Sequence, residues 1–181
     1  MNRWAAWGLG AALVVAAWGV ALITPAEDAE EAPFPITVEV GERGVGRNIA
    51  VTVTDVRRTG TVTAGEWSAE GNWLIVDLEA EAVASEFGAL LAHATLELDG
   101  RSFRASERPE SLLRAALAVG IPRSGSLAFE LPAAPGGGAG ELRLGVSTDE
   151  RLDSVIVVPV DLDDAPVEPR AGLQPTGWST P

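Results

Sequence analysis

Residues 73–83 read WLIVDLEAEAV, and this stretch decides the fold. Leu74, Val76 and Leu78 recur at every second position, and Asp77, Glu79 and Glu81 occupy the alternate ones. A repeat of two is the period of a pleated strand with one face toward a core and the other toward water. It predicts the longest strand of an all-β domain, its aliphatic residues inward and its three carboxylates outward. Trp73, at the strand's start, is expected in the core or at its rim.

The same period appears on both sides. Upstream, Ile36, Val38 and Val40 alternate with Thr37 and Glu39, Gly41 to Gly46 make a turn, and IAVTVTDV (49–56) sets Ile49, Val51 and Val53 opposite threonines. Gly60 to Asn72 reads as a loop holding Gly65, Trp67 and Gly71. Downstream, Ala94, Leu96 and Leu98 lead into Asp99-Gly100 and then Arg101 to Arg104. Asp-Gly between two alternating runs is a hairpin signal, because a type I′ turn needs positive φ at both central residues. SLAFEL (126–131), ELRLGV (141–146) and SVIVVPVDL (154–162) complete the set. RPESLLRAALAV (108–119) alone has helical spacing after residue 24, and is expected as a short helix or an irregular crossing between sheets. Seven or eight short strands with turns between them predict an antiparallel sandwich over 36–162. The tail, 163–181, is rich in proline and small or polar residues and reads as disordered, with Trp178 lacking a packing partner.

The start of the sequence is of another kind. WAAWGLGAALVVAAWGVALI (4–23) carries no charged residue. Twenty helical residues rise about 30 Å, the hydrocarbon thickness of a bilayer. The reading is a transmembrane anchor over 4–23, residues 1–3 cytoplasmic, and an acidic, proline-containing spacer over 24–35. Arg3 precedes the apolar run and Glu27, Asp28, Glu30 and Glu31 follow it, which places the carboxyl-terminal bulk outside the cytoplasm. A cleaved signal peptide, leaving a secreted protein, is the rival reading.

Composition sets limits. Net charge is −13, and Arg3 is the only charge before Thr24. Such a domain repels nucleic acid and anionic lipid, so neither is expected as a partner. The 13 basic residues are all arginine, which with abundant Ala, Gly, Val and Pro points to a bacterium of GC-rich genome, such as an actinobacterium. The absence of cysteine excludes disulfides, thiol catalysis and lipid attachment at a cysteine.

The segment VGIPRSGSLAFELP (119–132) resembles a recurring segment of a bacterial family of unknown function, through Gly120, Gly125, Phe129 and Pro132. That family comprises extracytoplasmic immunoglobulin-like domains found on lipoproteins and single-span membrane proteins. TVEVGERGVGRNIAVTVTDV resembles its opening hairpin, NWLIVDLEAEA its central strand, LELDGRSFRAS its Asp-Gly hairpin and LGVSTDERLDSVIVVPVDL its last pair. The resemblance spans about Phe34 to Leu162. It implies an immunoglobulin-like sandwich, similar to a secreted mycobacterial antigen superfamily, and no particular activity. One departure is that the central strand runs on as Glu81 to Ser85 where the family often has an asparagine at a polar corner.

No pattern of catalytic residues emerges. His93, the sole histidine, has no G-x-S-x-G serine to serve, Gly145 to Asp149 being the nearest shape. Asp161, Asp163 and Asp164 lack a calcium-loop pattern. Glu79 and Glu81 share a strand face as any solvent-facing pair does, and Gly136 to Gly140 lacks the lysine of a phosphate loop. No catalytic residue, metal or cofactor is expected. The candidate partner contacts are Trp67, in a glycine-flanked loop, and Arg57 with Arg58, which together with Arg101 and Arg104 make a small basic spot in an acidic domain. The expected function is a membrane-anchored, extracytoplasmic, immunoglobulin-like interaction domain for a protein or cell-envelope partner. The alternative is an accessory subunit of a membrane complex such as a transporter.

Overall fold

A computed structural model describes residues 3–23, 32–132, 138–149 and 151–179. The chain divides into two compact units, Met1–Ala32 and Pro33–Pro181. The first contains helix α1 (Arg3–Ile23), whose only charged residue is Arg3. The helix expected of the anchor is present. Among the described residues, however, no helix is long and apolar enough to cross a membrane. Several α1 side chains, those of 20–23 among them, lie outside the described set, as do most of the acidic spacer and residues 133–137 of the loop after Leu131.

Among its described residues the second unit is mostly β, with strands as its only named elements. Its strands are β1 (Phe34–Thr37), β2 (Arg43–Val45), β3 (Ala50–Ala64), β4 (Trp67–Glu81), β5 (His93–Leu98), β6 (Arg101–Arg104), β7 (Arg123–Leu131), β8 (Ala139–Gly145), β9 (Ser154–Asp161), β10 (Val167–Glu168), β11 (Ala171–Gly172) and β12 (Gly177–Trp178). One sheet has the order β1-β9-β8-β5-β6 and the other β10-β3-β4-β7-β12, with β2 and β11 also on β3. Pairing is mostly antiparallel, with β1–β9, β10–β3 and β11–β3 parallel.

The main core draws side chains from both sheets: Val51, Val53, Leu74, Val76, Leu78 and Phe129 from one, Leu96, Leu142, Leu144, Ile156 and Val158 from the other. The inward residues of WLIVDLEAEAV are those its alternation predicts. The Asp-Gly hairpin also forms, with φ of 51° at Asp99 and 68° at Gly100.

Two expectations about the backbone need correction. The loop over Gly60 to Asn72 is instead the continuation of β3 and β4, 15 residues each, joined across Gly65-Glu66. Gly65 takes φ 55° and closes the turn in two residues, while register shifts at Val53/Asp55 and Thr59/Thr61 absorb the irregular spacing. Of the two forms left open for residues 108–119, the structure has the irregular crossing. Their backbone donors turn outward, Leu112 N–H to Ser126 C=O, Arg114 N–H to Leu91 C=O and Leu117 N–H to Ala89 C=O. Leu112 and Leu117 are thereby buried in the main core.

The second correction is the larger. The described part of the tail expected to be disordered, 163–179, is packed. β10 and β11 add to the open edge of β3, and β12 pairs with β7 on the far side of the same sheet. Residues 173–176 therefore cross the outer face of β4. Ala171 and Leu173 are buried against Val62, Trp73, Ile75 and Ala128 in a second apolar cluster. Trp178 gains a partner as well, with the Arg123 guanidinium 4.8 Å from its ring centroid.

Candidate functional site

Under this strap lies a hydrogen-bonded group of polar side chains. β4 carries Asp77 on its outer face, and β3 carries Asp55 in the paired position. Like charges directly opposite on a sheet repel. Arg57, two residues along β3, answers both: its Nη1 donates to Asp77 Oδ2 at 2.5 Å and to Asp55 Oδ2 at 2.8 Å. Ser126 Oγ donates to Asp77 Oδ1 at 2.5 Å. The strap supplies the rest. Gln174 Nε2 donates to Asp77 Oδ2 at 2.9 Å, Gln174 N–H to Ser126 Oγ at 2.7 Å, and Arg57 Nη2 donates to the Gly172 carbonyl at 3.0 Å.

Asp77, expected to face solvent, is thus only 2 % exposed. Its direction along the strand is as predicted. Its burial comes from residues about a hundred positions later in the chain. Burial by itself would weaken the hold of Arg57 on its proton. Hydrogen bonds and charge from Asp77 and Asp55 outweigh this and push its pKa up, so it stays cationic.

Beside this cluster, Trp73 is fully buried, and Trp67 packs against it edge to face with centroids 6.1 Å apart. The Arg108 guanidinium lies 5.1 Å from the Trp73 ring centroid and 5.9 Å from that of Trp67, and it also pairs with Glu130 at 2.6 Å. Gly71 permits this packing, since a Cβ there would stand 2.9 Å from the Trp73 indole nitrogen.

The candidate partner contacts are therefore placed as follows. Trp67 is half-buried against Trp73, and Arg57 is committed to the two aspartates and Gly172. Arg58 Nη1 donates to the Leu162 carbonyl at 3.3 Å. Arg101 and Arg104 belong to β6 in the other sheet, so the four arginines do not form one spot. Ser126, Gln174 and Arg108 were not singled out in the sequence. The one local signal was a charged residue, Asp77, inside an otherwise apolar run.

Chemically the arrangement is a latch. Each polar group is turned toward another, and the bonds join tail to sheet. Ser126 has a carboxylate partner but no imidazole, and His93 lies on β5 of the other sheet. Among the described residues no three His, Cys, Asp or Glu side chains gather to hold a metal. Asp161 Oδ1 instead accepts from the Asp163 N–H at 2.8 Å. A shallow groove of about 540 Å³ runs beside the β5–β6 hairpin, lined by Glu97, Asp99, Arg101 and Pro159. No family model, curated protein or solved structure matches the chain.

Proposed function

We propose that the chain is a membrane-anchored, extracytoplasmic interaction domain of immunoglobulin-like sandwich form that binds a protein or cell-envelope partner without catalysis. The observation that carries this is the join of two unlike parts. A 21-residue helix whose single charge is Arg3 precedes a two-sheet unit with its own core, across an acidic spacer. The helix serves as the anchor, and Arg3 before it against four carboxylates after it orients the β unit outward.

The binding reading draws support from the sheet edges. In the β3–β4–β7 sheet, β3 is flanked by β2, β10 and β11, and β7 takes bonds from β12, Ser106 N–H and Leu112 N–H. In the other sheet β1 and β6 end the order. Pro35 within β1 lacks an N–H, which blunts that edge. The β6 edge, Arg101–Arg104, is the better place for a partner strand to add, its two arginines suiting an acidic segment. The accessory-subunit reading differs in making the helix the partner surface. Replacing residues 4–23 by an unrelated span separates the two, because association through the β unit survives the exchange.

The first test is protease treatment of intact, wall-stripped cells. The reading expects digestion of the β unit from outside, with the helix retained in the membrane fraction. Protection until the membrane is broken overturns the orientation. Release at reduced mass shows a cleaved leader and a secreted protein.

A further inference from the structure

The largest exposed apolar side chain of the β unit that nothing covers is Phe87, 97 % exposed at the tip of the loop after β4. Exposure of one phenylalanine is ordinary. Here the loop is built to hold it. Asn48 Oδ1 accepts from the N–H groups of Ala84 and Ser85 at 2.9 and 2.8 Å, and Asn48 Nδ2 donates to the Ser85 carbonyl at 3.0 Å. Ser85 Oγ accepts from the Phe87 N–H at 3.1 Å, and the Ala89 N–H closes a turn onto the Glu86 carbonyl at 3.2 Å.

The same bonds place this tip at the entry end of the domain. Next to Asn48, the Arg47 N–H donates to Ser154 Oγ at 2.9 Å, and Arg47 Nη2 donates to the Leu152 carbonyl at 3.1 Å. Ser154 is the register partner of Phe34, whose N–H donates to the Asp153 carbonyl at 2.9 Å. Phe34 is the first strand residue after the spacer. It is 56 % exposed and Leu152 is 51 % exposed. Three large apolar side chains thus project from the end where the chain arrives from α1. The ten residues 24–33 can reach at most about 35 Å even fully extended. The described grooves at this end, one lined by His93 and Thr148 and one by Ala50 and Glu81, do not include Phe87, Phe34 or Leu152.

We infer that this end docks on the bilayer itself, Phe87 inserting into the interfacial layer with Phe34 and Leu152 beside it. Phe and Leu side chains bury at the headgroup–acyl boundary when an apolar face lies on a bilayer. The tether keeps the surface within reach, so a weak contact suffices to hold the domain there. The acidic net charge selects a zwitterionic surface over an anionic one. This inference rests on the anchored reading of α1.

The chain has no cysteine, so single labels are clean. The full chain is reconstituted in phosphatidylcholine vesicles carrying a polarity-sensitive fluorophore at Phe87→Cys or at Ser102→Cys, with and without brominated acyl chains. Ser102 lies next to the β5–β6 turn, at the end of the domain away from Ser154. The expected result is blue-shifted emission quenched by bromolipid at position 87 and neither effect at 102. Vesicles that carry the chain on flotation but leave both labels unquenched overturn the docking and leave the anchor standing. A blue shift at 87 without bromolipid quenching overturns it in favour of self-association. Chain that does not float with vesicles overturns the anchor and the docking together.

Discussion

The two faces of β4 are built from one alternating sequence and buried by different means. The inner face, Leu74, Val76 and Leu78, packs against the opposing sheet. The outer face, Trp73, Ile75 and Asp77, is covered by a strap from the carboxyl-terminal end of the chain. The inner face is closed by apolar contact alone. The outer face mixes an apolar cluster with a buried, charged hydrogen-bond group. What this teaches is that an alternating strand tells which residues share a face, not which face meets water.

The comparison can be broken most forcefully by removing the strap. Deleting residues 166–181 uncovers Trp73, Ile75 and the Asp77–Arg57 pair. It is expected to cost at least as much as a large-to-small core substitution, about 3–5 kcal/mol, read by denaturant unfolding. A truncated chain with an unchanged midpoint and slope would show that the outer face has no energetic weight. Next, Trp73→Ala on the outer face and Phe129→Ala on the inner face should each cost about 3–5 kcal/mol, because both side chains are fully buried. A much cheaper Trp73→Ala would mean that the strap collapses onto the space and the two faces are unequal.

Charge sharpens the same contrast. Asp77→Ala leaves Arg57 in a largely covered site and is expected to cost about 3 kcal/mol. Arg43→Ala, which removes the more exposed pair with Glu81, is expected to cost under about 1 kcal/mol. Equal effects would indicate that water reaches Asp77 and that the strap is open in solution. The smallest effect concerns Asp149, fully exposed beside Arg151, whose hydrogen bonds lower its pKa below the ordinary 3.8. A carboxylate with a depressed folded-state pKa contributes stability above its unfolded pKa and loses it as pH falls through the folded one. Titration of Asp149 by NMR should therefore move upward in Arg151→Ala, and the small stability the pair adds above the unfolded pKa, neutral pH included, should be lost.

Much of this was legible in the sequence because it depends on neighbours in the chain. Alternation marked Ile49, Val51, Val53, Leu74, Val76 and Leu78 as inward. Asp99-Gly100 specified its own turn, since φ is positive at both residues. The β3–β4 hairpin was hidden by Gly60, Gly65 and Gly71, which read as a loop but serve as a bulge, a tight turn and a space for Trp73. The candidate contacts Trp67, Arg57 and Arg58 were chosen for exposure, and their surroundings come from Arg108, Leu162 and Gly172, all distant in the chain.

By itself, then, the sequence determined the β class of the second unit, the identity of its inner core and the unlike apolar helix before it, because side-chain period and turn chemistry are local. Only the tertiary structure decided the fate of the tail and of Asp77. β10, β11 and β12 are two residues long each, too short to carry any hydrophobic period. They form because the edges of β3 and β7 offer backbone groups that need partners, and because crossing between those edges lets Leu173 cover Trp73 and Gln174 reach Asp77.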